Sequence, residues 1–343
     1  MNIRGLAQHL NLSIGTVSRA LNDASDVSDA TRRRVIEAAA RLGYTPNQSG
    51  RSLRRGRTGA VAFILPVTAE SGAYGDPFFL SLMGGLQRHL EQAGYELIVL
   101  PVRHDQDELE HLRRSLGRGI ADAWLLAEIK RHDERVELLS ARQLPFVAFG
   151  RTGNPSGYPW LDLDFQQLIS TAVSRLLGQG HRRIALITPG LDVNFSSIVI
   201  GTYREALEDA GVPCDDRLIY VGDIGPTACA AATNGFLDLN DPPSAIFVMS
   251  ENGPIGVYAA LRGRGLQPGT DVAVIGSRNT PSCMALDPPL TCFSVDLHGL
   301  GEALGSMLLD VVAADGAPEG RPGLLWPFRL RQGASDLPDD SKC

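Results

Sequence analysis

Short apolar runs alternate with helix-length stretches over most of the chain, and this alternation restricts the fold more than any other feature. AVAFIL (60–65), RRIALIT (182–188) and DVAVIG (271–276) each contain at least four successive apolar residues. Such runs predict parallel strands that are covered by helices on both faces. The other predicted strands are YELIVL (95–100), AWLLA (123–127), PFVAFG (145–150), RLIYV (217–221), AIFVM (245–249) and TCFSV (291–295). Nine such strands indicate an α/β body with two doubly wound sheets.

Charge divides the chain of 343 residues into a basic head and an acidic body. Residues 1–57 contain ten arginines and four acidic residues, which gives a net charge of +6, whereas the remainder carries −13. This division is typical of a nucleic-acid-binding segment joined to a domain of another kind. Charge alone is equally compatible with a solvated basic surface.

Composition argues against several other classes of protein. The five cysteines are scattered and have no CxxC or Cys/His spacing, so we expect neither a disulfide framework nor a zinc site. No apolar run reaches the roughly 18–20 residues that span a bilayer, and the opening MNIRGLAQHL lacks the pattern of a secretion signal. We therefore expect a cytoplasmic protein with no membrane partner.

No sequence motif indicates catalysis. Walker A, GxSxG and HExxH motifs are missing from the sequence, and HDQDELEH (104–111) lacks metal-ligand spacing. GLGEALG (299–305) departs from the GxGxxG pattern and predicts a glycine-rich packing face instead of a dinucleotide site. We expect no enzyme activity, no catalytic residue, no cofactor and no metal.

Three short helices are predicted in the first 45 residues. The first runs from about Ile3 to Leu10 with Asn2 as its N-cap, and Asn11 suits the left-handed backbone of a sharp turn. Ser13 is placed to cap the second helix. Two short helices joined by a three-residue turn form a helix-turn-helix, whose second helix enters the major groove of DNA.

The second helix is predicted to turn Val17, Ala20 and Leu21 toward a core. The residues predicted to face outward are Ile14, Gly15, Ser18, Arg19 and Asn22. Arg19 can form a bidentate pair with guanine, and Ser18 and Asn22 can donate to phosphates. A merely solvated arginine is the alternative for Arg19.

A third helix is predicted within VSDATRRRVIEAAARLG (27–43), where Ser28 is the N-cap and Gly43 is the stop. Its apolar stripe is predicted to consist of Val35, Ile36, Ala39 and Leu42. This helix would close a small three-helix core.

Three segments of the chain together form a recognisable pattern, namely TVSRALN (16–22), VSDATRRRVIEAAARLGYTPN (27–47) and RSLRRGRT (51–58). In this order and spacing they resemble the head, hinge and first strand of the LacI/GalR (lactose-repressor) family of bacterial transcription regulators. The resemblance implies a small all-α helix-turn-helix head and an α/β two-lobed sensor domain of the type I periplasmic-binding-protein-like architecture. The expected divisions are a DNA-binding domain at 1–45, a hinge helix and linker at 46–58, lobe 1 at about 59–160 and 294–321, lobe 2 at about 161–293 and 322–335, and a tail at 336–343.

The resemblance also assigns DNA-contacting positions. Ile14, Gly15 and Arg19 take base-reading positions, Leu53 takes that of a leucine wedged into the central base step of a palindromic operator, and Arg54 takes that of a minor-groove basic residue. The residues expected near phosphates are Asn2, Ser13, Thr16, Ser18, Asn22, Ser28, Thr31 and Asn47.

Ligands of doubly wound sheets bind beyond the carboxyl ends of the strands, which here means the cleft between the lobes. DPFF (76–79) resembles a family segment whose aromatic rings stack on a sugar, which makes Asp76, Phe78 and Phe79 candidate contacts, with core packing as the alternative for each Phe. Sugar-binding relatives commonly carry an arginine where this chain has Ile198 and an aspartate where it has Gly150. The remaining polar and aromatic candidates for the effector site are Arg151, Asp192, Asn194, Phe195, Glu251, Asn252 and Asn279.

The sequence thus predicts a homodimeric transcriptional regulator that binds double-stranded DNA at a palindromic operator. A repressor of a carbohydrate-utilisation operon, controlled by a sugar, glycoside or polyol, is what the resemblance implies. The alternative is a cytoplasmic sugar-binding protein without operator function. An enzyme on the same scaffold is a third class, which no residue pattern supports.

Overall fold

The computed structural model describes residues 1–21, 24, 26–44, 57–67, 77–103, 105–190, 193–314 and 323–336. The chain divides into two compact units, Met1–Thr58 and Gly59–Cys343, called here the head and the body. Some candidate site residues lie outside the described residues, namely Asn22, Asn47, Leu53, Arg54, Asp76 and Asp192.

The head contains three helices, α1 (Ile3–Leu10), α2 (Ile14–Leu21) and α3 (Asp29–Arg41). Their apolar faces form one small core, in which Leu6, Val17 and Val35 are fully buried. The predicted stripe of α3 is wrong at one position, because Ile36 is 51% exposed and Ala38 is buried in its place. The helix period explains the difference, because Val35, Ala38, Ala39 and Leu42 are spaced as i, i+3, i+4 and i+7 and lie on one face, whereas Ile36 lies about 100° further round the helix.

The first sheet of the body is entirely parallel. Its strands are β1 (Ala60–Val67), β2 (Glu96–Arg103), β3 (Ala123–Leu126), β4 (Phe146–Phe149), β5 (Trp160–Leu163) and β11 (Leu324–Trp326). They are arranged in the order β11-β5-β4-β3-β1-β2. Because all strands point the same way, their carboxyl ends form one edge, from which the ligand-binding loops of such folds emerge.

The second sheet is also parallel and has four strands. These are β6 (Ile184–Thr188), β7 (Ile219–Val221), β8 (Ala245–Val248) and β9 (Ala273–Gly276), in the order β7-β6-β8-β9. Two further strands, β10 (Cys292–Ser294) and β12 (Arg329–Arg331), pair antiparallel to each other. All nine predicted strands are present, and the sequence analysis missed β5, β11 and β12.

The predicted boundary between the lobes is wrong for two short segments. Residues 161–163 and 324–326 were assigned to lobe 2, but β5 and β11 pair with each other, and β5 also pairs with β4 of the first sheet. Strands of three or four residues are too short to show a periodicity that would identify their sheet. The chain therefore leaves the first sheet just after Leu163 and again just after Trp326.

Helices cover both faces of each sheet, as continuous apolarity predicted. The helices of the body are α4 (Pro77–Gln92), α5 (Glu108–Gly117), α6 (Glu134–Ala141), α7 (Phe165–Gly178), α8 (Asn194–Asp209), α9 (Pro226–Leu237), α10 (Gly253–Gly263), α11 (Pro281–Met284) and α12 (Leu297–Ala313), with a 3-10 turn at Asp216–Leu218. On the first sheet, α4 and α12 pack on one face and α5 and α6 on the other. On the second sheet, α7 and α8 pack opposite α9, α10 and α11.

Helices α4 and α12 approach closely through glycines. A Cβ on Gly85 would lie 2.2 Å from the carbonyl oxygen of His298, and one on Gly301 would lie 2.2 Å from that of Leu82. Neither position has room for a larger residue. The glycine-rich segment 299–305 is therefore a packing face, as predicted.

Candidate nucleic-acid interface and ligand cleft

The turn between α1 and α2 is fixed by side chains that cap both helices. Asn2 Oδ1 accepts a hydrogen bond from the Gly5 backbone N–H at 3.0 Å, and Asn11 is left-handed at φ 54° and ψ 44°. Ser13 Oγ accepts from the Thr16 N–H at 3.0 Å. These contacts satisfy donors that a helix start leaves unpaired and hold α2 at a defined angle to α1. The predicted caps are confirmed.

One side of α2 is free of the head's core. Ile14 is 44% exposed, whereas Val17 and Ala20 are buried, so the helix presents the predicted outward side. A Cβ on Gly15 would meet only Ser13 Oγ at 3.7 Å and Arg19 Nη1 at 4.0 Å, which are ordinary contacts. The backbone at Gly15 is therefore accessible, with no side chain of its own, beside the projecting side chain of Ile14.

Arg19 has a partner that the sequence analysis missed. Its Nε lies 3.3 Å from Asp26 Oδ2, and the two side chains are 52% and 61% exposed. Such an exposed ion pair contributes little stability and yields readily to a stronger partner. Asp26 thus holds the guanidinium beside α2 while leaving it accessible.

Several arginines of the head bind the head itself. Arg34 Nη2 donates to the Leu10 carbonyl at 3.0 Å, which ties α3 to the end of α1. Arg32 Nη2 donates to the Ala24 carbonyl at 2.9 Å. Some of the arginines in this segment therefore stabilise the fold of the head, and not all of the basic charge is available to bind DNA.

The start of α3 has the predicted cap. Ser28 Oγ accepts from the Thr31 N–H at 3.3 Å and lies 2.9 Å from the Thr31 hydroxyl. Both hydroxyl groups are partly or fully exposed at the helix N-terminus, where backbone N–H groups and the helix dipole favour an anion.

In the body, Phe78 and Phe79 at the start of α4 are packed into aromatic neighbours. Phe79 lies with its ring centroid 5.9 Å from that of Phe63, and Phe78 lies nearly parallel to Phe149 at 6.0 Å. Only 5% of Phe78 is exposed, and the guanidinium carbon of Arg278 lies 4.0 Å from its ring centroid. Arg278 therefore occupies the ring face on which a ligand was expected to stack.

Arg278 also forms an ion pair with Glu251, at 2.7 Å between Nη2 and Oε1. Both side chains are mostly buried. The sequence analysis named Glu251 and missed Arg278. A signal was available, because Arg278 lies two residues after β9, at the carboxyl edge of the second sheet, where ligand-binding loops of such folds emerge.

The two amides near this ion pair differ in their contacts. Asn279 donates its backbone N–H to the Phe293 carbonyl at 2.7 Å and is half-buried. Asn252 is exposed at the N-terminus of α10 and makes no side-chain cap hydrogen bond. Asn252 is thus the more available of the two to a ligand.

Arg151 lies at the end of β4 and is bound to the protein on three sides. Its Nε lies 3.5 Å from Asp162 Oδ2, its Nη2 donates to Gln166 Oε1 at 3.3 Å, and its guanidinium carbon lies 5.3 Å from the Trp160 ring centroid. Burial raises the pKa of the Asp162 carboxyl to about 7, against the opposing effect of Arg151. Asp162 is a buried acid that the sequence analysis missed.

Asn194, at the start of α8, connects the two lobes, and Phe195 beside it packs within the second lobe. The Asn194 backbone N–H donates to the Ile129 carbonyl at 2.9 Å, and its side-chain amide donates to the Arg151 carbonyl at 2.9 Å. Phe195 stacks on Phe165 with the centroids 4.9 Å apart. Asn194 is buried by these contacts, so it connects α8 to loops of the first lobe.

Gly150 has a backbone conformation that explains why no acidic residue stands there. Its φ is +109°, which favours glycine, and a Cβ would lie 3.1 Å from Cγ1 of Ile129. An aspartate would strain this loop, whatever its interaction with a ligand.

Two buried hydroxyl groups near the cleft lack hydrogen-bond partners among the described residues. Thr188 ends β6, and Ser196 lies in the first turn of α8. A buried hydroxyl without a partner carries an energetic cost of about 1–3 kcal/mol, which a water or a ligand hydroxyl would relieve. No sequence pattern distinguished these two residues from other polar residues.

The described part of the chain contains no group of three His, Cys, Asp or Glu side chains that could hold a metal ion. It also contains no helix long and apolar enough to cross a membrane.

Comparisons with known proteins identify the family. Residues 2–47 match the family of bacterial regulatory proteins of the lacI type, and residues 173–335 match the periplasmic binding protein-like domain. The HTH-type transcriptional regulator AglR of Rhizobium meliloti (strain 1021) is 30% identical over 348 aligned residues, which cover 99% of this chain and 96% of AglR. CelR of Thermobifida fusca, another HTH-type transcriptional regulator, is 30% identical over 88% of each chain.

Solved structures of two transcriptional regulators resemble this chain along almost its whole length. A complex of the transcriptional regulator CelR with cellobiose is 27% identical, covers 98% of this chain and 99% of its own, and has a TM-score of 0.74. The Lac repressor dimer bound to operator and the anti-inducer ONPF has a TM-score of 0.84 at 20% identity over 98% of this chain and 99% of its own, which shows a shared fold. The helix-turn-helix head, the two-sheet body and a 30% identical regulator aligned along nearly the whole chain lead to one conclusion: the protein belongs to the lacI family of bacterial regulatory proteins and is a DNA-binding transcriptional regulator.

Proposed function

We propose that this regulator is a repressor that binds a palindromic operator as a homodimer, and that a sugar, glycoside or polyol in the cleft of the body controls its affinity for DNA. The observation that carries the proposal is the exposed side of α2, with Ile14 and Arg19 held beside a capped turn, on a chain that also has a two-lobed body. We propose no catalytic role, because the relatives are regulators and no motif of an enzyme is present.

The proposed base contacts come from the exposed side of α2. Ile14 can contact a thymine methyl group, and Arg19 can exchange Asp26 for the O6 and N7 atoms of guanine. Gly15 allows the backbone to approach the base edges. The proposed phosphate contacts are Asn2, Ser13, Thr16, Ser18, Asn22, Ser28, Thr31 and Asn47, and Leu53 and Arg54 are proposed to act in the minor groove.

The proposed effector is sugar-like for two reasons. CelR, which is 27% identical along 98% of this chain, has been solved as a complex with cellobiose. The cleft edges also provide exposed or orphaned polar groups that suit hydroxyls, which are the Asn252 amide and the hydroxyls of Thr188 and Ser196. Of the residues expected at the cleft, Phe79 and Asn194 are used by the protein's own packing, so we place them behind the ligand surface.

Apolar surface on the body supports the proposed homodimer. Leu80 on α4 is 65% exposed, and Ile255 on α10 and Met284 on the adjoining α11 are also exposed. Contiguous apolar patches favour association with another protein surface, and Ile255 and Met284 lie on helices that contact each other. A two-fold dimer would present two copies of α2 to the two halves of a palindrome.

Operator and effector affinity are proposed to be linked through the two lobes. If the effector binds one arrangement of the lobes better than another, it shifts the equilibrium between the two arrangements. The largest possible shift is set by the ratio of its affinities for them, and the fraction of DNA-competent dimers changes accordingly. The linkage is reciprocal, so operator DNA must change effector affinity by the same factor.

Selection of bound sequences from a random DNA pool by the full chain tests the proposal. We expect enrichment of a palindrome, and a change in enrichment when cellobiose or another candidate saccharide is added. Recovery of no enriched sequence at low salt, together with calorimetric binding of a saccharide, would instead favour a sugar-binding protein without operator function.

A further inference from the structure

Arg278 connects the two lobes through contacts of different chemistry. It follows β9 of the second sheet, and its ion pair with Glu251, at 2.7 Å, lies within the second lobe. Its guanidinium carbon lies 4.0 Å from the ring centroid of Phe78, which belongs to α4 on the first sheet. The Arg278 side chain therefore spans the cleft.

The partners on each side are themselves firmly held. Phe78 packs against Phe79 at 5.2 Å and Phe149 at 6.0 Å between ring centroids, so its ring is part of the first lobe's core. The Glu251 carbonyl accepts from the Cys283 thiol at 3.1 Å, which fixes the loop after β8. Because both ends are anchored, the contact between them resists separation of the lobes.

The geometry suits a strong contact. A guanidinium 4.0 Å from an aromatic centroid lies well inside the roughly 6 Å range of cation–π attraction, which strengthens when both groups are removed from water. Phe78 is nearly buried, and the Arg278 side chain is 27% exposed. Arginine keeps its plane parallel to a ring while its edge binds a carboxylate, which lysine cannot do.

We propose that Arg278 is a latch that holds the two lobes of the body together before an effector binds. The latch occupies the face of Phe78, so a ligand that stacks on this ring must first displace the guanidinium. Arg278 then sets the effector concentration at which the lobes respond. This inference rests on the effector cleft of the proposed function, but not on DNA binding.

The distance between two spin labels, one on each lobe, tests the latch directly. Arg114→Cys on α5 and Glu205→Cys on α8 are exposed labelling positions in the first and second lobes. Cys214 and Cys343 are replaced by serine, since the other three cysteines are buried. The full chain is diluted with unlabelled chain, so that the pulsed dipolar signal reports distances within one chain.

Without any added saccharide, we expect one narrow distance for the parent chain. Arg278→Ala is expected to raise the population at longer distance about tenfold, which corresponds to about 1.4 kcal/mol. Arg278→Lys, which keeps the charge and loses the planar stacking, is expected to give an intermediate population.

The matched control is Arg264→Ala. Arg264 lies in the same lobe and pairs with Asp238 at 2.7 Å, the same length as the Arg278–Glu251 pair. Its other hydrogen bond, to Asn234, also stays within the second lobe, whereas Arg278 in addition contacts Phe78 of the first lobe. An unchanged distance distribution in Arg278→Ala would overturn the latch, and so would an equal broadening in Arg264→Ala. Neither result bears on operator selection, so failure of the latch and failure of the proposed function are distinguishable.

Discussion

The buried carboxyl of Asp162 makes the stability of the body depend on pH in a direction that can be worked out. Burial raises its folded pKa to about 7 from an ordinary value of 3.8, although Arg151 opposes the shift. Between these values the folded chain binds a proton at Asp162 and the unfolded chain does not. The contribution of Asp162 to the free energy of unfolding is therefore greatest below pH 3.8 and is lost as the pH rises through about 7.

Asp162→Asn removes this dependence, because an amide does not titrate. From pH 5 to pH 8 the parent chain is expected to lose about 3 kcal/mol relative to the variant, since each pKa unit corresponds to about 1.4 kcal/mol. Replacing the protonated carboxyl beside Arg151 by an amide adds a cost that does not vary with pH. Comparing differences across pH cancels that constant, so the slope alone tests the argument.

Urea denaturation followed by tryptophan fluorescence measures the effect in the body, because all three tryptophans lie beyond residue 58. The matched control is Asp209→Asn, the same substitution at an exposed position of α8. A stability difference between the parent chain and Asp162→Asn that stays constant from pH 5 to pH 8 would refute the reasoning.

Two further predictions concern the head and the helix pair α4 and α12. Arg19→Ala is expected to weaken binding to the selected operator by about 1–3 kcal/mol and binding to random DNA much less, as measured by fluorescence anisotropy. Equal losses on both DNAs, or a similar loss in the body variant Arg204→Ala, would contradict base reading. Gly85→Ala is expected to cost about 3 kcal/mol or more in urea denaturation, because its Cβ would lie 2.2 Å from the His298 carbonyl oxygen. Gly84→Ala, which meets nothing within 4 Å, is expected to stabilise the same helix by about 0.5–1 kcal/mol, and a loss there would show that the packing argument is wrong.

Local structure was predictable from the sequence because its causes are local. The caps formed by Asn2 and Ser28 join residues that are three positions apart, and the left-handed turn at Asn11 is the conformation of a single residue. Each could therefore be predicted from a few neighbouring residues. The nine apolar strands were equally predictable, because a strand that is buried on both faces consists of consecutive apolar residues. The short strands β5, β11 and β12 left no such signal, and only their pairing with distant segments identifies them.

The cleft was less predictable because its residues are defined by their partners. Arg151 was recognised as a cleft residue, but its ion pair with Asp162 depends on β4 and β5 lying side by side. Arg278 pairs with a residue 27 positions earlier in the chain and stacks on one from the other lobe. Neither pairing follows from spacing along the sequence.

Both arginines at the cleft share one chemical arrangement, which bears on the kind of effector proposed for it. Arg151 is paired with Asp162, which is a carboxylate above a pH of about 7, and Arg278 is paired with Glu251. A ligand anion would compete with these carboxylates and be repelled by them. A hydroxyl group both donates and accepts a hydrogen bond, so it can donate to the carboxylate and accept from the guanidinium of the same pair without breaking it. Paired charges of this kind therefore favour a neutral polyol over an acid, in a chain that has Ile198 where sugar-binding relatives commonly carry an arginine.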